Sequence, residues 1–485
     1  MLADIRIALE RAGLLIGQSG TLPASVEAIG DDSRTVQSGS LFLAVRGAER
    51  DGHTYLALAA ERGATAAIVD DASRTTLPAL VVSDTRRAAA AAARAFYEEP
   101  AASLRLIGVT GTNGKTTTVG MLRHLFDEDR SRAASIGTLG VLVGSAGDPL
   151  DGGSGLTTPG PVELQRVLRD LRDDGVRTVA METSSHALHQ RRVEGLSFAA
   201  GVFTNLTRDH LDYHGTMQEY FTAKAILVSL LDRDGVAVVN ADDRAWDSLP
   251  PAPRTVRYGL GAAADVRARR VRSTPDGSRF DLVLGAESHD VTLPLIGDFN
   301  VANALGAAAC AWALGLSSGT IVERLATMPQ VPGRLEIVHE RPTVLRDYSH
   351  TPDSLERAIA AVRPFAAGRL IVVFGCGGDR DRGKRPEMGR IAAQGADLAI
   401  VTSDNPRTED PERILDGIEA GMGDVAHERI EDRRDAIARA LALAGPDDLV
   451  LLAGKGHETY QIRGTTKLPF DERQIVHEIV TERVS

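Results

Sequence analysis

Three stretches of the chain gather residues suited to binding phosphate, metal or carboxylate groups. In the first, Gly111-Thr112-Asn113-Gly114-Lys115-Thr116-Thr117 lies between an apolar run, LRLIGVT, and a helical pattern, TTTVGMLRHLFDE. Glycines there let backbone N–H groups turn toward phosphate oxygens, and the start of a helix adds positive partial charge. Lys115 would reach the β- and γ-phosphates of ATP or GTP, with the Thr116 hydroxyl on Mg²⁺. Val109 stands where the usual phosphate loop has its first glycine, so the strand–loop–helix setting carries much of the signal. An ordinary glycine-rich turn is the alternative.

The second stretch contains Met181-Glu182-Thr183-Ser184-Ser185-His186, then FTNLTRDHLDYHG at 203–215 and Ala223-Lys224-Ala225. Glu182 and His210 each follow an apolar run read as a strand. Both are therefore expected at carboxyl ends of strands, where open α/β sheets bind ligands. A carboxylate and an imidazole there could hold Mg²⁺, which takes few protein ligands and completes its shell with phosphate oxygens. The alternative is a surface carboxylate and a helix-capping neighbour of Asp209. Of the 55 basic residues only five are lysine, at 115, 224, 384, 455 and 467. In a chain that uses Arg wherever Arg will serve, a retained lysine suggests a need for a compact ammonium or for an amine able to lose its proton.

The third stretch combines Asp404-Asn405-Pro406-Arg407, the segment Gly454-Lys455-Gly456-His457-Glu458, and a loop rich in Gly, Asp and Arg at 375–385. The planar fork of Arg suits a carboxylate or phosphate. Asn-Pro after a strand is also a common turn initiator. No Cys/His spacing supports a zinc site or a thiol nucleophile.

The apolar pattern gives the strands and helices that carry these residues. Residues 1–103 mix short runs (SLFLAV, AAIV, ALVV) with an Ala-rich helical stretch near 86–97, which reads as a small α/β domain. From 104 onward, strands at 104–110, 178–182 and 199–206 alternate with helical patterns such as VELQRVLRDLRDDG, which predicts a parallel sheet covered on both faces. The stretch 251–300 reads as a β-rich excursion, and MPQVPG at 328–333 as a linker. TVLRDY, RLIVVFGCGG, LAIVTSD and LVLLAGKG then alternate with helices in a second doubly wound pattern. The expected fold is α/β in three domains. These are a small N-terminal domain (1–103), a central P-loop-type parallel-sheet ATPase domain (104–333) and a C-terminal Rossmann-like domain (334–485).

Composition agrees. A chain of 485 residues suggests about three domains at roughly 150 each. Its 43% hydrophobic and 25% charged content is globular. No apolar run approaches the roughly 20 residues of a membrane helix, and charges at Asp4, Arg6, Glu10 and Arg11 are unlike a secretory signal. Two cysteines, Cys310 and Cys376, fit a reducing cytoplasm, and a net charge of −11 argues against nucleic acid as the main ligand.

GTNGKTT, METSSHALHQRRV, FTNLTRDHLDYHG and the lone Lys224 after them resemble the Mur ligases, and the resemblance runs from Asp32-Ser33-Arg34 to Gly454–Glu458. It implies an ATP-dependent amide ligase of peptidoglycan precursor synthesis. Such an enzyme phosphorylates the D-glutamyl carboxylate of UDP-N-acetylmuramoyl-dipeptide, and an amine attacks the acyl phosphate. By the same resemblance Lys115, Lys224, Glu182 and His210 are catalytic. Thr116, Glu182, His210 and a carbamylated Lys224 would hold Mg²⁺. Asn303, Arg334 and Asp347 join residues 111–117 around ATP. Ser33, Ala48, Glu49 and Arg50 match the uridine-nucleotide site, and Thr157, Thr158, Ser184, Gln190 and Arg192 the muramoyl-dipeptide site. Arg380, Asp404, Asn405, Pro406, Arg407, Gly454 and Glu458 would select meso-diaminopimelate, whose distal end carries both carboxylate and ammonium. A cytoplasmic monomer is expected. The resemblance gives Lys384, Lys455 and His350 no role. Lysine or ornithine as the amine, a P-loop kinase or ATPase, and a nucleotide-binding regulatory protein are the competing readings.

Overall fold

The computed structural model describes residues 2–47, 50–128, 131–153, 155–274 and 276–484. Two compact units emerge. One holds the chain up to Arg267 together with Leu305–Ile321, the other Ala268–Ala304 and the chain from Val322 onward.

The first unit contains two sheets. The N-terminal one is built from β1 (Leu15–Ser19), β2 (Ala28–Gly30), β3 (Ser40–Leu43), β4 (Ala64–Val69) and β5 (Ala79–Val82), in the order β1-β5-β4-β3-β2. All neighbours are parallel except β1 with β5. The helix Thr85–Phe96 starts where the Asp84 side chain accepts the amides of Arg86 and Arg87, and it buries Ala88, Ala89, Ala92 and Ala93 against this sheet.

The central sheet follows with β6 (Arg105–Thr110), β7 (Arg132–Gly137), β8 (Gly140–Val143), β9 (Asp148–Leu150), β10 (Val176–Glu182), β11 (Phe198–Phe203), β12 (Leu231–Asn240) and β13 (Arg254–Gly259). Their order is β13-β12-β11-β6-β10-β7-β8-β9. The six from β13 to β7 are parallel, whereas β7, β8 and β9 form an antiparallel meander. Five of the six β6 residues are buried, as a strand covered on both faces requires. Strand order reverses at β6, with β10 on one side and β11 on the other. Such a switch point leaves a crevice at the carboxyl ends. The register brings those ends together, pairing Glu182 with Val109 and Phe203 with Thr110.

In the second unit β15 (Gly277–Leu284) and β16 (Glu287–Leu293) form an antiparallel hairpin, preceded by β14 (Val266–Thr274), in which the chain crosses from the first unit. A six-stranded sheet follows, made of β17 (Glu336–Glu340), β18 (Thr343–Asp347), β19 (Leu370–Phe374), β20 (Leu398–Val401), β21 (His427–Arg429) and β22 (Leu449–Ala453). Its order is β17-β18-β22-β19-β20-β21, parallel except at β17. Successive strand residues supply opposite cores. Leu345, Val372 and Leu451 pack with Leu355, Ile391 and Ile414. Val344, Ile371 and Val450 pack with Ile437 and Ile475. Each such aliphatic side chain contributes about 1.5–3 kcal/mol of burial. A hairpin of β23 (Tyr460–Arg463) and β24 (Thr466–Pro469) closes the list of strands.

The α/β architecture agrees with the sequence pattern, with three local differences. The expected strand 199–206 stops at Phe203, because Thr204 and Asn205 leave the ladder to bind the phosphate loop. The meander β7–β9 was not legible as strands. The β-rich stretch after 251 gives way to a helix at Asp298. Among the described residues no helix is long and apolar enough to cross a membrane.

Candidate active site

The phosphate loop is braced by the segment that follows β11. Thr112 donates its amide to the Asn205 carbonyl (2.7 Å), and the Asn113 amide donates to Asn205 Oδ1 (2.9 Å). Asn205 Nδ2 and Thr204 Oγ1 both donate to the Asn113 carbonyl, at 3.1 and 2.7 Å. Gly111, at φ 147°, passes so near Thr204 Oγ1 that a Cβ there would collide with it, so only glycine fits. Gly114, at φ 85°, caps the helix Lys115–Phe126, in whose first turn Thr116 and Thr117 are buried. Lys115 Nζ donates to the carbonyls of Gly111 (3.0 Å) and Thr112 (2.8 Å).

Lys224 reaches the same loop from the helix Met217–Ser229. Its ammonium donates to the Gly111 carbonyl (2.7 Å), stands 4.3 Å from the centroid of the Tyr220 ring, and leaves the residue only 1% exposed. Burial drives its pKa well below the ordinary lysine value. The Lys115 charge reinforces the shift and Asp209 opposes it. An amine so placed loses its proton far more readily than one at the surface.

His210 adopts a left-handed backbone conformation (φ 52°) at the start of the short helix Leu211–His214. Its ring packs edge-on against His186, with centroids 4.8 Å apart, and His186 also meets Tyr213 (4.2 Å) and His214 (5.3 Å). Burial lowers the His210 pKa. Asp209 opposes the shift, and Lys115 and Lys224 add to it. Burial, with His210 next in weight, pushes His186 down to about 4. His214, whose Nε2 shares a hydrogen bond of 3.0 Å with Ser185 Oγ, is also pushed to about 4, by burial first and then by His189 and His210.

Glu182, 1% exposed at the end of β10, accepts the Thr138 amide on Oε1 (2.8 Å). The Thr138 hydroxyl lies 3.3 Å from both Glu182 Oε2 and Thr157 Oγ1. Thr158 donates its hydroxyl to the Glu182 carbonyl (2.8 Å) and accepts the Ser184 amide (3.1 Å). Ser184 in turn caps the helix Ser185–His189. Arg192 donates to the Thr158 carbonyl (3.0 Å) and to Gln190 Oε1 (2.7 Å), and Gln190 Nε2 reaches the Tyr213 hydroxyl (3.1 Å). Thr157, Thr158, Ser184, Gln190 and Arg192 thus form one bonded group joined to Glu182. In the N-terminal sheet region, Ser33 is buried and its carbonyl accepts Arg62 Nη1 (3.1 Å). The Arg50 carbonyl accepts the Gly47 amide (2.8 Å). Ala48 and Glu49 lie outside the described residues.

The second unit holds the rest of the expected set. Asn303 Nδ2 donates to Asn300 Oδ1 (3.2 Å). The Arg334 guanidinium stacks on Tyr348, 4.8 Å from the ring centroid. Asp347 accepts the Leu335 amide (2.8 Å) and the Ser349 hydroxyl; burial raises its pKa, with Ser349 and Arg334 opposing. The Gly454 amide donates to the Asp347 carbonyl (2.9 Å), which ties the ends of β18 and β22 together. At φ 122°, Gly454 lies against the Asp404 carboxylate where a side chain would intrude.

The segment Asp404–Arg407 is held on both flanks. Asn405 Nδ2 donates to Glu458 Oε2 (2.9 Å), and its Oδ1 accepts the Ile462 amide (2.9 Å). Gln461 Nε2 donates to the Asp404 carbonyl (2.8 Å). Arg407, left-handed at φ 53°, donates its amide to the Ile462 carbonyl and accepts the Gly464 amide, so the β23–β24 hairpin fixes its backbone. The Pro406 carbonyl accepts the Glu409 amide (3.2 Å). Arg407 Nη1 donates to the Gly378 carbonyl (2.8 Å), and Arg380, exposed, donates to the Asp379 carbonyl (3.2 Å). Both arginine side chains flank Gly377.

Comparison with known proteins gives the family. The Mur ligase family catalytic domain matches residues 25–111, the Mur ligase middle domain 109–311, and the Mur ligase glutamate ligase domain 333–456. The UDP-N-acetylmuramoyl-L-alanyl-D-glutamate–2,6-diaminopimelate ligase of Geobacillus thermodenitrificans is 45% identical over 465 residues, covering 93% of this chain and 94% of that protein. The chain belongs to the Mur ligase family. A Synechocystis protein of the same name is 42% identical over 504 residues, covering 100% of this Mur ligase and 99% of the relative. A solved structure, also of a UDP-N-acetylmuramoyl-L-alanyl-D-glutamate–2,6-diaminopimelate ligase, superposes with a TM-score of 0.66 at 34% identity, covering 95% of this chain and 96% of that one.

Several residues that brace the expected site residues within each unit have no motif of their own in the sequence. Thr138 sits between Glu182 and Thr157, and Asn205 fastens the phosphate loop. Gln461 holds Asp404. Arg433, fully buried with Glu472 (2.8 Å), donates to the Ala453 carbonyl (2.9 Å) just before Gly454. Thr138, Gln461 and Arg433 lie outside every motif quoted above. Asn205 lies within one, but its side-chain role follows only from the fold. Lys384 donates to the His350 carbonyl (2.7 Å), which accounts for both as a local tie.

Proposed function

We propose that this Mur ligase joins meso-diaminopimelate to UDP-N-acetylmuramoyl-L-alanyl-D-glutamate with ATP, in the cytoplasm. The observation that carries the reading is Lys224, a buried amine with lowered pKa on the carbonyl of the phosphate loop's first glycine. A P-loop kinase or ATPase needs no such residue. The names of the relatives and the Asp404–Arg407 segment support the choice of amine.

Each unit has its own task. In the first, backbone amides of 111–117 and Lys115 bind the ATP phosphates and align the γ-phosphoryl group with the D-glutamyl carboxylate. That oxygen attacks phosphorus, the bond to ADP breaks, and an acyl phosphate forms. Ser33 and residues 48–50 take the uridine nucleotide, while Thr157, Thr158, Ser184, Gln190 and Arg192 hold the muramoyl-dipeptide. In the second unit lie Asn303, Arg334 and Asp347, which the family resemblance assigns to the nucleotide. Arg380 and Arg407 grip the distal carboxylate of diaminopimelate, and Asp404 and Glu458 receive its distal ammonium. The free amine attacks the acyl carbon, its proton is lost, phosphate departs and the amide remains.

Among the described residues no group of three or more His, Cys, Asp or Glu forms a metal cage. Mg²⁺ would therefore rest on a few groups, Thr116, Glu182 and His210, plus phosphate oxygens, as this ion prefers. Bound there it would neutralise the charge that builds up in phosphoryl transfer. The uncharged form of Lys224 is the form that combines with CO₂, and a carbamate there would add a carboxylate for a second Mg²⁺. Arg could not do this, because its guanidinium stays protonated.

The test is phosphate release by purified protein given ATP, the UDP-muramoyl-dipeptide and a panel of diamino acids. Release should depend on the amine and be fastest with meso-diaminopimelate. Amine-independent release would contradict the ligase reading, and faster incorporation of lysine would contradict the assignment of 404–407.

A further inference from the structure

Lys455 is wholly enclosed. Its ammonium donates to Glu458 Oε2 (3.0 Å) and Asn405 Oδ1 (3.2 Å), with the rings of Tyr460 and Phe470 at 5.8 and 5.9 Å. Asn405 Nδ2 donates to the same Oε2 at 2.9 Å. One carboxylate oxygen of Glu458 therefore has two donors, while Oε1 has no hydrogen bond among the described residues. The Asn405 amide is oriented as well, because Oδ1 receives Lys455 and the Ile462 backbone while Nδ2 faces the carboxylate.

We propose that Lys455 is a positioning residue for amine selection: it fixes Glu458 by one oxygen so that the other is presented to the distal ammonium of the incoming amino acid. The proposal rests on the function given above and assigns a role to a lysine outside the substrate-contact set. The compact ammonium is what the site requires. A guanidinium brings a broad planar fork into a space closed by two aromatic rings, Asn405 and Glu458. Without the ammonium, Glu458 would keep one donor, turn more freely and hold a charge with no cation beside it.

A double-mutant cycle on the KM for meso-diaminopimelate tests this, with the KM for ATP measured in the same proteins: Lys455→Met, Glu458→Gln and the pair. Each single variant should raise the amine KM on the order of tenfold or more while the ATP KM moves far less. The pair should be no worse than Glu458→Gln alone, because Lys455 acts through Glu458. If Lys455→Met is too unstable to assay, the pair against Glu458→Gln carries the test, since the pair leaves no buried charge unmatched. Effects that simply multiply, or equal rises in both KM values, would overturn the proposal and reduce Lys455 to a structural ion pair. An unchanged amine KM in Glu458→Gln would overturn the ammonium-binding role of Glu458 and this proposal with it. Amine-independent phosphate release by the unmodified enzyme would instead show that the function itself was misread.

Discussion

Lys224 and Lys455 are both buried, in opposite company. In the first unit Lys224 has a carbonyl, an aromatic face and a neighbouring lysine around it, and burial lowers its pKa steeply. In the second, Lys455 has a carboxylate within hydrogen-bond reach and an amide oxygen oriented toward it. Burial with no carboxylate of the described residues in hydrogen-bond reach favours the neutral amine at Lys224, whereas the Lys455 ammonium is bonded to the Glu458 carboxylate. On the proposed reading the same side chain serves as a reactive group in one unit and as a fixed support in the other. The fold decides which.

The steepest loss should come from Lys224. Lys224→Arg keeps a positive charge but cannot become a neutral amine, so turnover should fall about a hundredfold or more in a steady-state assay. Near-normal turnover would remove Lys224 from the reaction. Next comes the framework of the amine-selecting side. Arg433→Met leaves Glu472 buried without its partner, and a denaturant melt should show a loss on the order of 3–5 kcal/mol. A loss below about 1 kcal/mol would show that the pair is not what holds Ala453 at the end of β22.

Arg407→Ala sharpens the contrast between the units. It should raise the KM for diaminopimelate about tenfold while leaving the KM for ATP nearly unchanged. Equal rises would assign Arg407 to the framework instead. The smallest effect concerns the histidine cluster of the first unit. His186 and His214 are held near 4 against an ordinary 6.5, so between those values the unfolded chain binds protons that the folded one does not. Stability should therefore fall as pH drops from 6.5 toward 4. His186→Phe should flatten that slope, and an unchanged slope would show that His186 does not drive it.

Much of this was legible in the sequence. The apolar runs within β6, β11, β19, β20 and β22 are continuous because buried parallel strands must be apolar on both faces. The phosphate loop was legible because Gly114-Lys115-Thr116 follows an apolar strand and opens a helical pattern. The supports were not. Thr138, Gln461 and Arg433 each act on a residue far away in the chain, and no local spacing records such a pairing. Asn205 sat inside a quoted motif, but its grip on Asn113 depends on β11 lying beside β6. Lys455 was singled out by the scarcity of lysine, yet its purpose required seeing Asn405 and Glu458 converge on it.

Lys224 is the buried amine proposed to take up CO₂. The most direct measurement is ¹³C NMR of the enzyme equilibrated with ¹³C-bicarbonate and Mg²⁺. A carbamate resonance that disappears in Lys224→Arg and persists in Lys455→Met is the predicted result. A spectrum without that resonance, or one in which it vanishes only with Lys455, would contradict the account.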